Sequence, residues 1–184
     1  MGSGQCSRRS LLMTTSAAVV GWAGCLEGRP GSEDPHLGEP EPFVGVELVD
    51  DADRGYLHPP VVHAVVGGTV EWTAAGGTHD VTALHPSTHG SQRRIPEAAE
   101  PWSSGVLTAE GEPFDQGFDV EGVYDYVCAV HESRGAVGSV VVGWPDPDDQ
   151  PGLEAPAKAY PDVTADGIER TNERVRDVLE EVHE

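Results

Sequence analysis

Between residues 43 and 144 the chain breaks into short runs of β-branched and aromatic residues, and no long 3.6-residue periodicity intervenes. The runs are 43–49, 61–66, 69–73, 81–84, 117–120, 123–127 and 139–142. Gly67-Gly68, Gly76-Gly77 and Glu121-Gly122 punctuate them. Short strands closed by turn signals predict an all-β domain, a sandwich or barrel with antiparallel pairing. A stretch of about a hundred residues buries one core without disulfides. The strand signal fades between His85 and Pro113, which predicts a long excursion in the middle of the domain.

Of three cysteines, Cys6, Cys25 and Cys128, only the last lies inside this stretch. A lone thiol has no internal disulfide to form, and metal ligation is a reason to keep one. Three segments bear on that chemistry: Gly76-Gly77-Thr78-His79-Asp80-Val81, Tyr124-Asp125-Tyr126-Val127-Cys128-Ala129-Val130-His131, and Gly135-Ala136-Val137-Gly138. A thiolate and an imidazole this close, just after a strand, converge on one ion from a tight loop. A second imidazole from a distant strand, His79, closes a trigonal plane. One sulfur and two nitrogens suit copper in both oxidation states, and a His2Cys plane with a weak axial ligand is the geometry of blue-copper electron-transfer sites.

These segments resemble the blue-copper (cupredoxin) family, and within it the halocyanins and plastocyanins. The family pattern is a His followed by a polar residue and Val, then Tyr-x-Tyr-x-Cys-x-x-His, four residues, Met-x-Gly and a Val-rich strand. This chain matches at His79, Tyr124, Tyr126, Cys128, His131, Gly135, Gly138 and the valines 140–142. Arg94-Ile95-Pro96-Glu97 and Glu100-Pro101-Trp102 resemble members with a mid-domain insertion. The resemblance implies a Greek-key β-sandwich over 43–144 with that insertion, and one type 1 copper held by His79, Cys128 and His131. It implies one-electron transfer rather than enzymatic turnover. His79 would be the inner ligand and His131 the exposed one through which electrons pass. The backbone amides of Asp80 and Ala129 are candidates for hydrogen bonds to the sulfur.

One position departs from the pattern. Ala136 stands where the family carries its axial Met, and Met1 and Met13 both lie in the leader. A backbone carbonyl near His79, a water or nothing would take the axial place. The loss keeps two other readings open: a copper carrier without redox duty, and a metal-free cupredoxin-fold interaction module. His85 and His89 read as solvent or rim residues on a turn-rich loop, and His58 and His63 as structural.

The ends read as appendages. Residues 1–24 form a secretory signal, with the Arg8-Arg9 pair of a twin-arginine leader and an apolar run, 11–23, too short for a confident membrane span. Ala23-Gly24-Cys25 resembles a lipobox, which makes Cys25 the lipidated first residue of the mature chain. Residues 25–42, rich in Gly, Pro and acids, read as a flexible tether. Beyond Trp144, the run Pro-Asp-Pro-Asp-Asp-Gln-Pro-Gly predicts a second linker, and 165–183 a C-terminal helix. Thr164 or Asp166 is its candidate cap. Ile168, Val175, Val178, Leu179 and Val182 share a face that docks on the domain. Eleven bases against 32 acids give a formal charge of −21, which excludes a phosphate-neutralising nucleic-acid surface. Such acidity suits concentrated salt and resembles haloarchaeal proteins. The expected protein is a lipid-anchored monomer on the outer face of the cell membrane, with membrane redox complexes as partners.

Overall fold

The computed structural model describes residues 37–50 and 56–183, with side chains to residue 180. The leader, Cys25, residues 26–36 and the Val182 side chain lie outside the described residues. The runs 61–66 and 69–73 are one strand, β3 (Val61–Ala74), which carries the bend between the two layers. The bend falls at Gly67-Gly68. Gly67 has φ 81°, and a Cβ on Gly68 would come within 2.8 Å of the Val65 carbonyl oxygen, so neither position accepts a side chain without strain.

After the bend, β3 pairs with β1 (Glu41–Leu48), which pairs with β2 (Leu57–His58). Before the bend it pairs with β9 (Val137–Val142), followed by β8 (Gly122–Val127) and β5 (Thr82–Ala83). On its other side β3 meets β7 (Phe114–Phe118). A separate two-stranded pair joins β4 (Thr78–His79) to β6 (Leu107–Thr108), which belongs to the mid-domain excursion. The result is a Greek-key sandwich with one strand shared between its layers. Two pairings, β1 with β3 and β3 with β9, are parallel, not antiparallel as expected. Which strands become neighbours is set by the long connections, and local patterning does not carry it.

Alternation places Val70, Trp72 and Ala74 of β3 in the core, between the partly or fully exposed Glu71 and Thr73. Trp72 is fully buried; the Tyr126 ring stands edge-on at 5.3 Å and Phe114 lies at 5.9 Å. Trp102, from the excursion, meets Phe118 edge-on at 5.4 Å. By contrast, β8 and β9 are buried at every position. Tyr124, Tyr126, Val140 and Val142 face the Trp72 cluster, while Val123 and Val141 pack with Leu153, Val175 and Leu179 on the other side. An uninterrupted Val140-Val141-Val142 is the pattern of a strand covered on both faces.

The cover comes from α1 (Asp162–His183) and the segment before it. Ile168, Val175 and Leu179 are fully buried, so the predicted stripe docks on the domain. The helix starts three residues earlier than expected. The Pro161 carbonyl accepts from the Thr164 and Ala165 amides, so neither Thr164 nor Asp166 is its cap. The run 145–152, expected to be a linker, is held against the domain. With Leu153 it forms the 3-10 turns Pro147–Asp149 and Pro151–Leu153, and Leu153 is buried under α1. Buried Arg94, from the excursion, holds them. Its Nε donates to Asp125 Oδ2 at 2.7 Å, and its Nη atoms donate to Glu154 O at 2.9 Å, to Asn172 Oδ1 at 3.2 Å and to Gly152 O. Buried His63 has its ring nitrogens on the carbonyls of Gly38, at 2.9 Å, and Gly143, at 2.6 Å, a structural place as expected.

Candidate metal centre

His79 ends β4, just past the turn at Gly77 (φ 70°). Cys128 follows the last residue of β8, and a 3-10 turn, Ala129–Arg134, carries His131 back beneath it. Gly135, with φ 75°, ends that turn. The loop is closed at its base by Cys128 N donating to Ala136 O at 2.9 Å, and inside by His131 N donating to Cys128 O at 2.9 Å.

The loop and β4 bring one donor atom from each of His79, Cys128 and His131 within 4.8 Å of one another. Cys128 Sγ lies 3.8 Å from His79 Nδ1 and 3.3 Å from His131 Nδ1. His79 and Cys128 are wholly buried, His131 nearly so. The far nitrogen of His79 fixes its tautomer. Nε2 lies 2.8 Å from the Gly76 carbonyl, which only accepts, so Nε2 carries the proton and the Nδ1 lone pair faces the sulfur. Donors at these separations match what a first-row ion with ligand distances of about 2.0–2.3 Å spans. Without an ion, burial pushes the Cys128 thiol up, while the backbone N–H groups of Asp80 and His131 facing the sulfur pull it back. The Asp80 amide was expected there; in place of Ala129 the loop offers His131. Burial pushes the His131 imidazole down, neighbouring His79 adds to this and Asp50 opposes it.

Five contacts around the centre were not read from the sequence. The Asp80 carboxylate bridges the strand side to the loop: Oδ1 accepts from Val130 N at 3.0 Å and Oδ2 from the Thr82 hydroxyl at 2.8 Å. Tyr56 stacks on His131, with centroids 4.6 Å apart and planes within 13°. Arg134 Nη1 donates to the Tyr56 hydroxyl at 2.9 Å. Asp50 Oδ1 stands 3.8 Å from His131 Nε2. Ala136 is buried in the cluster that includes Tyr56, Leu57 and Leu107. Val130, between Cys128 and His131 on the loop, is half exposed. His85 binds Ser87, and His89 pairs with Glu132 at 3.0 Å; neither joins the group of three.

Residues 48–143 match the model of the copper-binding proteins of the plastocyanin/azurin family. The chain is 37% identical over 86 residues to a halocyanin from Natronomonas pharaonis, a match covering 46% of each protein. It is 28% identical over 100 residues to the chloroplastic plastocyanin of Tetradesmus obliquus, covering 54% of this chain and 66% of that one. The chain therefore spans less than half the length of the halocyanin. Among solved structures, a pseudoazurin from Sinorhizobium meliloti superposes with a TM-score of 0.59 at 24% identity, over 74% of this chain and 98% of that one. The pseudoazurin of Methylobacterium extorquens gives 0.54 at 20% identity, over 76% and 98%. At these identities the two structures speak for the fold.

Proposed function

The chain belongs to the plastocyanin/azurin family of copper-binding proteins, and from that premise we propose that it carries single electrons outside the cell membrane, with one copper held by His79, Cys128 and His131. Copper is the family's cofactor, and copper-based electron transfer is its general work. The observation that carries the reading is the orientation of the three donors: both Nδ1 atoms face one sulfur, and the Gly76 carbonyl locks His79 that way.

Bound copper supplies a one-electron couple between Cu(I) and Cu(II). The chain supplies the frame. Cys128 must lose its proton to ligate, and burial resists that loss, so uptake of the cation releases a proton. The Asp80 and His131 amides that face Sγ would favour the thiolate, the His131 amide being shared with the Cys128 carbonyl. The Asp80 bridge and the Cys128–Ala136 bond hold the loop at both ends, so the donors keep their spacing when the charge at their centre changes. His131 is the ligand nearest solvent, beside exposed Val130, and electrons cross there. The reading includes the lipid tether at Cys25, membrane redox complexes as donor and acceptor, and a monomeric state. Arg8-Arg9 and Ala23-Gly24-Cys25 support the tether. Mass spectrometry of the native protein is expected to find a lipidated Cys25 at the mature terminus; another terminus sinks the anchor.

Titration of the purified chain with Cu(II) is expected to raise an intense visible sulfur-to-copper band that saturates at one ion per chain and bleaches reversibly on reduction. Failure to bind copper sinks the reading and favours a metal-free module. Ala136 in the place of the family's Met keeps a second reading alive, a copper carrier. Binding without reversible cycling would favour it.

A further inference from the structure

A cavity of about 240 Å3 opens between α1 and the end of the ligand loop. Arg170 and Arg174, one helical turn apart, line one side; Gly135, Ala136 and Tyr56 line the other. Among the described residues no acid lines it, although the chain has 32 acids and 11 bases. The cavity beside Pro96 shows what this composition otherwise yields: Glu97, Glu121, Asp148, Asp149 and Glu154, with no base. Exposed acids such as Glu169 and Glu173 share α1 with the arginines but stay out of the lining.

The arginines sit at the metal loop. A Cβ on Gly135 would lie 3.6 Å from Arg170 Nη2. Arg134 adds a third guanidinium on the Tyr56 hydroxyl, and Tyr56 stacks on His131. Asp50, 3.9 Å from Arg134, offsets part of that charge. Among the described residues, Arg170 and Arg174 have no hydrogen-bonding or ion-pair partner, whereas Arg93, Arg94 and Arg176 spend theirs on carbonyls and a carboxylate.

We propose that this arginine rim is the docking surface for the acidic face of an electron-transfer partner. The inference rests on the electron-carrier reading above. A chain at −21 repels another acidic protein, so approach needs a local patch of opposite sign. A guanidinium fork pairs with carboxylates in two-pronged geometry. Complementary charge beside the ligand loop also fixes orientation, presenting the His131 face to the partner.

The test uses the copper-loaded full chain and two small reductants of opposite charge. Cu(II) takes one electron from hexacyanoferrate(II), which becomes hexacyanoferrate(III), or one from hexaammineruthenium(II), which becomes the ruthenium(III) ion. For Arg170→Gln/Arg174→Gln, the rate with hexacyanoferrate is expected to fall about tenfold at low ionic strength relative to the rate with the ruthenium complex. Added salt is expected to erase that difference. Taking the ratio of the two rates cancels any shift in potential common to both. Arg170→Lys/Arg174→Lys keeps the charge and is expected to hold the wild-type ratio, which separates steering from damage to the fold. A ratio unchanged in the Gln pair, or lowered equally in the Lys pair, overturns the docking surface. If neither reagent reduces the copper, the electron-carrier reading fails, and this inference with it.

Discussion

Two buried polar clusters hang from the same strand, three residues apart, and they are built to opposite plans. At Asp125 the chain finishes its own work. The carboxylate accepts from Arg94 Nε and from the Ser139 hydroxyl, and the rest of the guanidinium is used on Gly152, Glu154, Asn172 and Gln92. At Cys128 the chain brings together three metal-ligating side chains whose contacts with one another are weak sulfur–imidazole hydrogen bonds, at 3.8 and 3.3 Å. Two imidazole nitrogens and a sulfur converge on one point, and the far nitrogen of His79 is already taken by the Gly76 carbonyl. A buried cluster closed by its own donors is architecture. One whose acceptors converge is completed by a cation.

Cys128→Ser breaks the comparison most completely. The oxygen is a hard, weak donor beside two imidazoles, so the sulfur-to-copper band is expected to vanish outright. The paired His85→Ala/His89→Ala change should leave the band in place, since neither ring joins the group of three. Loss of the band in that pair, and its survival in Cys128→Ser, would mean the wrong cluster has been assigned.

Arg94→Met attacks the closed cluster. It leaves a buried carboxylate uncompensated and strips the segment 145–161 of its main anchor, at an expected cost of about 3–5 kcal/mol in unfolding free energy. Replacing the pair, Arg94→Met with Asp125→Leu, is expected to cost less than the single change, because no unpaired charge remains. The band of the folded fraction should not move in either variant. Chemical denaturation followed by absorbance reads both; a single mutant as stable as the wild type would remove the architectural role.

How far these clusters were legible beforehand differs for the same physical reason. Cys128 and His131 announce themselves because their spacing is local and their chemistry unusual; His79, some fifty residues upstream, was a candidate second imidazole that the resemblance to cupredoxins made specific. Arg94 gave no sign, since its partners at Glu154 and Gly152 lie 60 and 58 residues away and are backbone carbonyls without side-chain identity. That is also why 145–152 read as a linker: Pro, Asp and Gly are what a tether contains, and it is the guanidinium and the adjoining Leu153 that pin it down. Most strands were legible as β-rich runs, one-sided on β3 and two-sided on β8 and β9, but Gly67-Gly68 divided one strand into two runs, and the two-residue strands β2, β4 and β6 gave no signal. Neighbour relations such as the parallel β1–β3 pair were not legible. Tyr56, stacked on His131, marks the same limit at the metal centre.

Asp80 shares both plans, a fully bonded carboxylate placed against the sulfur. Asp80→Asn keeps an oxygen for the Val130 amide and offers an NH2 to the Thr82 hydroxyl, so the band is expected to stay. Removing a negative charge beside the thiolate disfavours Cu(II), so the potential is expected to rise. Voltammetry reads this directly; a fall would mean that the carboxylate acts through loop geometry and not through charge.

The smallest expected effect belongs to Ala136, where the open cluster lacks its family's fourth donor. A methyl group cannot ligate, and axial thioethers in such sites are long and weak, so the three remaining donors supply most of the binding. What fills the place decides the sign. If the axial side is dry, Ala136→Met adds a donor that favours Cu(II), and the potential falls with the band retained. If water already donates there, the Met displaces a hard ligand and the potential rises. Val130 does not decide it, because it is half exposed. Ala136 itself is 3% exposed and belongs to the main apolar core, which favours the dry case and a lowered potential in the Met variant. A raised potential, or an axial water on the Cu(II) wild type, would place a solvent molecule in the one position the chain does not fill with a side chain of its own.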